Sequence, residues 1–131
     1  MNNYFSKHKI FFYLSNFILI VLYLYPGSLL GCLFYSDCKL QPQFTGDFMI
    51  SSNHFYSFFI LSVIGLFTYK NQKKFNFLST YLISLSIFLE ILHVFIPNRS
   101  FEFPDLFGNL FGVLIVLIIY LFFKKYEKFK N

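Results

Sequence analysis

The sequence predicts an all-α protein: a membrane-spanning bundle of four transmembrane helices with both termini cytoplasmic. Three observations predict it. Of the 131 residues 56% are hydrophobic and only 13% charged, at a mean hydropathy of +0.58, so the chain cannot cover a soluble core with polar surface. The apolar residues fall in long blocks, as membrane spans require. The basic residues gather in short clusters flanking those blocks.

The first block covers residues 10–25, after Lys7 and Lys9. As a helix it measures about 24 Å, short against a hydrocarbon core of about 30 Å. Pro26-Gly27 breaks it, and residues 29–35 are apolar again, continuing it as a kinked or interfacial piece. Residues 36–47 are polar and turn-rich and read as a loop. The second block, 48–69, carries His54 near its start and closes at the run Lys70-Asn71-Gln72-Lys73-Lys74. The third, 75–96, holds Glu90 and His93 and ends at Pro97-Asn98-Arg99. After a short loop, Pro104 suits the first turn of a new helix, and the fourth block, 105–123, runs to Lys124-Lys125. No internal repeat, linker or composition shift divides the chain, so residues 1–131 read as a single domain.

Counting Lys and Arg sets the orientation. Lys7, Lys9, Lys70, Lys73, Lys74, Lys124, Lys125, Lys128 and Lys130 share one side, and only Lys39 and Arg99 lie on the other. Positive residues stay inside, so both ends and the 70–74 loop are expected in the cytoplasm. The net charge of +5 therefore reads as topology and lipid headgroups; no basic helix or RNA-binding motif accompanies it, and nucleic acid is not an expected partner. No A-x-A cleavage site follows the first block. Leu29-Leu30-Gly31-Cys32 has the outline of a lipoprotein processing site, but the Pro-Gly break precedes it and Leu is a poor residue at its second position. Cys32 and Cys38 both fall on the outer side, where a disulfide is chemically permitted; two free thiols are the alternative.

Polar residues inside the blocks are the candidates for function. Glu90 and His93 are three apart and share one face near the outer end of the third span. Glu90 lies about 10 Å below Pro97, where a carboxylate is costly unless paired, protonated or wet. Asp105 and Asn109 are four apart on the fourth span, an antiparallel neighbour, and Arg99 lies between in the loop, in reach of Asp105 or Glu102. His54 starts the second span on the same side. Gly108 and Gly112, four apart, allow close helix approach there. Glu90 and His93 are the candidate catalytic pair, with Glu90 as base or proton carrier. His54, Arg99, Asp105 and Asn109 are the candidate ligand-binding set, with Arg99 suited to a phosphate or carboxylate. The ligand types for a metal are present, but the spacing is not a metal motif, so neither metal nor cofactor is expected.

At these residues the chain resembles the VanZ-like family of small bacterial membrane proteins. The resemblance lies in Glu90-x-x-His93-x-x-x-Pro97-x-Arg99-x-Phe101-x-x-x-Asp105-x-x-x-Asn109-x-x-Gly112. Lesser patches are Tyr25-Pro26-Gly27 and Ser51-Ser52-Asn53-His54-Phe55-Tyr56, so that together they cover most of the chain. One departure is clear: the Asp-Lys that often precedes the family's histidine of span two is replaced here by Ser51, Ser52 and Asn53, so a role of that Lys is absent. The resemblance implies a multi-pass protein of the bacterial inner (plasma) membrane, linked through the family's founding member to low-level teicoplanin resistance. The function expected from it is binding or modifying an anionic lipid or lipid-linked wall precursor at the outer leaflet. The rival expectation is a structural subunit that binds a membrane protein partner without catalysis.

Overall fold

The computed structural model describes the backbone of residues 2–69 and 72–130 and the side chains of 7–69 and 74–129. The chain is α-helical, and no strand occurs among the described residues. Its helices are α1 (Asn2–Leu24), α2 (Leu29–Tyr35), α3 (Ser52–Thr68), α4 (Gln72–Leu92) and α5 (Phe103–Lys130), with a 3₁₀ turn at His93–Phe95. Three segments, Lys7–Leu24, Lys74–Phe95 and Phe103–Phe129, are long and apolar enough to cross a membrane. The apolar helix Ser52–Thr68 is shorter, at 17 residues or about 26 Å. Large apolar side chains such as Phe11, Phe17, Ile118 and Phe122 are exposed on the outside of the bundle, which suits lipid rather than water.

Local chemistry fixes where the helices stop. Gly27 takes a positive φ of 87° after Pro26, which ends α1. Ser28 then caps α2 by accepting a 3.0 Å hydrogen bond from the Gly31 N–H. Cys32 and Cys38 are joined in a disulfide that folds residues 37–40 back over α2. Residues 48–51, expected inside the second span, lie outside the helix. The Asp47 carboxylate takes the Ser52 N–H at 2.7 Å, so α3 starts there. Pro97 limits α4 differently, by holding Ile96 in extended backbone, and the last apolar residues tighten into the 3₁₀ turn. At the other end α5 runs on past Phe123, because 124–130 contains strong helix formers. Of the lysine run after α3, Lys70 and Asn71 lie outside the described residues, as does the Lys73 side chain.

Helix α3 forms its most extensive packing with α5. Gly108 and Gly112 make this possible: a Cβ at Gly108 would stand 2.6 Å from the Ser51 carbonyl oxygen, and one at Gly112 2.5 Å from that of Phe55. The apolar core includes Phe12, Leu19, Phe58, Leu61, Leu82 and Val113, joining α1, α3, α4 and α5. At one end of the bundle Thr68 donates to the His8 carbonyl, and Phe75 stacks on Tyr120. The opposite end gathers the C-terminal turns of α1 and α4 with the N-terminal turns of α3 and α5, and the polar residues collect there.

Candidate functional site

Each arriving helix places one or two polar side chains into a common buried space. Helix α1 contributes Tyr23, α3 His54, α4 Glu90, the 3₁₀ turn His93, and α5 Asp105 and Asn109. Glu90 and Asn109 are fully buried, His93 and His54 nearly so, and Asp105 is partly exposed.

Asn109 is the hub. Its amide nitrogen donates to the Ser86 carbonyl at 3.2 Å and to Glu90 Oε2 at 3.5 Å. A carbonyl only accepts, so this bond fixes the orientation of the amide. Asn109 Oδ1 then accepts from the Tyr23 hydroxyl at 2.6 Å and faces His54 Nδ1 at 3.1 Å, which makes Nδ1 the protonated nitrogen of His54. On the same logic His93 Nε2 donates to the Tyr23 carbonyl at 3.2 Å.

Three contacts bring an imidazole nitrogen to a carboxylate oxygen: His54 Nδ1 lies 3.8 Å from Glu90 Oε2, and two are closer, each at 3.4 Å, His93 Nδ1 with Glu90 Oε1 and His54 Nε2 with Asp105 Oδ2. Neither of the closer two is stable without a proton between its partners. A proton held in such a contact offsets the charge of its carboxylate. Glu90 Oε1 also accepts from the Glu102 N–H at 3.1 Å, which ties the loop to the network.

Arg99 has a different role from the one its sequence position suggests. It makes no ion pair with Asp105 or Glu102; among the described residues the ion pairs all involve histidine. Its Nη2 donates to the Leu22 carbonyl at 3.2 Å and its Nε to that of Tyr25 at 3.4 Å. These carbonyls belong to the last turn of α1 and the residue that follows it, where no further helical turn supplies donors, and the guanidinium caps them. Burial lowers the Arg99 pKa from its ordinary value, against the pull of Asp105, and the guanidinium stays charged.

Two small cavities flank the network. One, of about 150 Å³, is lined by Tyr23, His54 and Asn53 among others; the second, of about 180 Å³, by Lys39, His93, Glu102 and Asp105 among others. Ser28, Gln41 and Arg99 line both. Each is large enough for several waters or a phosphate-sized group, and too small for a drug-sized molecule.

The structure thus brings His54, Glu90, His93, Asp105 and Asn109 together and sets Arg99 at their edge. Glu90 lines neither cavity, so in this state it meets no ligand directly. Sequence reasoning missed Tyr23 and the Ser86 carbonyl. Tyr23 is one of 10 tyrosines in an aromatic-rich chain, and nothing in its neighbourhood marks it. His54, Glu90 and Asp105 each present a donor atom within 4.8 Å of the others, a grouping that their sequence separations conceal. The chain matches no protein-family model, no curated protein and no solved structure.

Proposed function

We propose that the chain is a four-span, VanZ-like protein of the bacterial inner membrane, with both ends in the cytoplasm. In this reading it binds the anionic headgroup of a lipid or lipid-linked wall precursor at the outer leaflet, and so alters susceptibility to glycopeptides. One observation carries the reading: Lys39 and Arg99, the two cations outside the lysine-rich clusters, line the same cavity of about 180 Å³. Arg99 commits two of its five N–H groups to α1 carbonyls, which holds the guanidinium still and leaves three donors. The spacing of residues 90–112 supports the family and envelope assignment, and the lysine distribution supports the orientation.

Native mass spectrometry of the purified protein tests the binding. A polyprenyl phosphate or phosphatidylglycerol should be retained at one per chain over phosphatidylcholine, and Lys39→Ala should weaken that retention about tenfold, as expected for one charge-assisted bond. Equal retention of all three lipids refutes the reading. A second reading has its own observation: both Glu90 oxygens find partners inside the protein, as in a cluster that only locks helices together. Under it Glu90→Gln lowers the yield of folded protein, no lipid is preferred, and a constant membrane protein partner co-purifies.

A further inference from the structure

We infer that His54, Glu90 and Asp105 form a binding site for one divalent transition-metal ion, of the zinc or manganese type. The inference does not require the headgroup reading, although Asp105 lines the same cavity, and a metal added alone tests it. The three residues come from α3, α4 and α5, and one donor atom from each lies within 4.8 Å of the others. The 3.4 Å between His54 Nε2 and Asp105 Oδ2 is the edge expected between two ligands of a tetrahedral ion with bonds of about 2.0–2.2 Å.

The surroundings have the form of a supported metal site. His54 directs Nδ1–H at Asn109 Oδ1, which leaves Nε2 facing Asp105 Oδ2. A metal-binding histidine is held in this way, its second nitrogen donating to a fixed acceptor. Asn109 is itself locked by Ser86 and Tyr23. Glu90 Oε1 meets the Glu102 N–H and His93, while Oε2 accepts from Asn109 at 3.5 Å and lies 3.8 Å from His54 Nδ1, so Glu90 turns toward Nε2 to share an ion with His54 and Asp105. The Asp105 and Glu90 carboxylates offset the 2+ charge in part, because the proton that Glu90 shares with His93 is retained. Three protein ligands are too few for calcium, and the imidazole favours a transition metal over magnesium. The 180 Å³ cavity is lined by Asp105, the partly exposed member, which is the side from which an ion would arrive. The ion displaces the proton shared by His54 and Asp105, so binding releases about one proton.

The test uses the full chain, purified in detergent, stripped with a chelator and titrated with Zn²⁺ alone. One ion per chain should bind, with release of about one proton measured by calorimetry in two buffers. Asp105→Asn should weaken binding by roughly 100-fold, while Glu127→Gln, far off on the C-terminal part of α5, leaves it unchanged. X-ray absorption on the zinc-loaded wild-type protein should show a single imidazole and otherwise oxygen ligands, and this decides the matter if Asp105→Asn does not fold. Absence of zinc from helical, monodisperse wild-type protein overturns the inference. So does undiminished binding by folded Asp105→Asn, or a spectrum with no imidazole or more than one.

Discussion

Replacing Gly112 by alanine should loosen the helix pair on which the site stands. The added Cβ would lie 2.5 Å from the Phe55 carbonyl oxygen and 2.9 Å from the Phe59 nitrogen. Both are backbone atoms of α3, so no rotamer change relieves the contact. Reaching an ordinary separation of 3.4 Å requires α3 and α5 to part by about 0.9 Å, the difference between 3.4 and 2.5. Overpacking of this kind costs about 1–3 kcal/mol, or a factor of roughly 5–150 in the unfolding equilibrium. The same displacement stretches the 3.1 Å contact between His54 and Asn109, which join these two helices. Unfolding of the purified protein by SDS in mixed micelles, followed by far-UV circular dichroism, measures the change. Gly46→Ala is the control, since nothing lies within 4 Å of a Cβ there, and it should stay within about 0.5 kcal/mol of wild type. If Gly112→Ala unfolds with Gly46→Ala, then α3 and α5 do not approach as closely as described.

Three other changes have expected outcomes. Tyr23→Phe removes one hydroxyl donor to Asn109 and should cost about 1 kcal/mol in the same unfolding assay, leaving the His54–Asn109 contact in place. Asn109→Leu deprives the His54 N–H and the Tyr23 hydroxyl of their acceptor and should cost more, about 2–4 kcal/mol, with a fall in folded yield by size-exclusion chromatography. The double change Cys32→Ser with Cys38→Ser opens a loop of sequence separation 6, worth about 2 kcal/mol on the loop-entropy estimate. Its effect should be local, seen as faster proteolysis between residues 28 and 41 with unchanged helical circular dichroism.

Much of the fold is legible because a membrane imposes one simple pattern. Long apolar blocks, the break at Pro26-Gly27 and the stop at Pro97 all correspond to helix ends, because backbone chemistry acts there over one or two residues. The start of α3 was less visible. Residues 48–51 are as apolar as the helix they precede, and the helix start is set by the Asp47 carboxylate, a capping contact that hydropathy does not register. The C-terminal lysines of α5 posed the reverse problem, since charge ends an apolar block without ending a helix.

The meeting of Glu90, His93, Asp105 and Asn109 could be anticipated from helical spacing and a short connecting loop. The contacts of Arg99 could not. Charge pairing pointed to a carboxylate, whereas the unsatisfied carbonyls of α1, more than 70 positions earlier in the chain, hold the guanidinium. Tyr23 was hidden for the same reason: its partners come from other helices, and the sequence around it is ordinary for a span.

The end of α1 depends on residues made much later. The carbonyl of Leu22 is met by Arg99 and that of Tyr23 by His93, so the first helix on its own has an incomplete last turn. Only when the segment joining α4 and α5 packs against it do those oxygens acquire donors. A chain arrested before residue 99 would therefore hold α1 in register only through its apolar contacts. Assembly of this protein thus closes from the middle of its sequence back to its beginning.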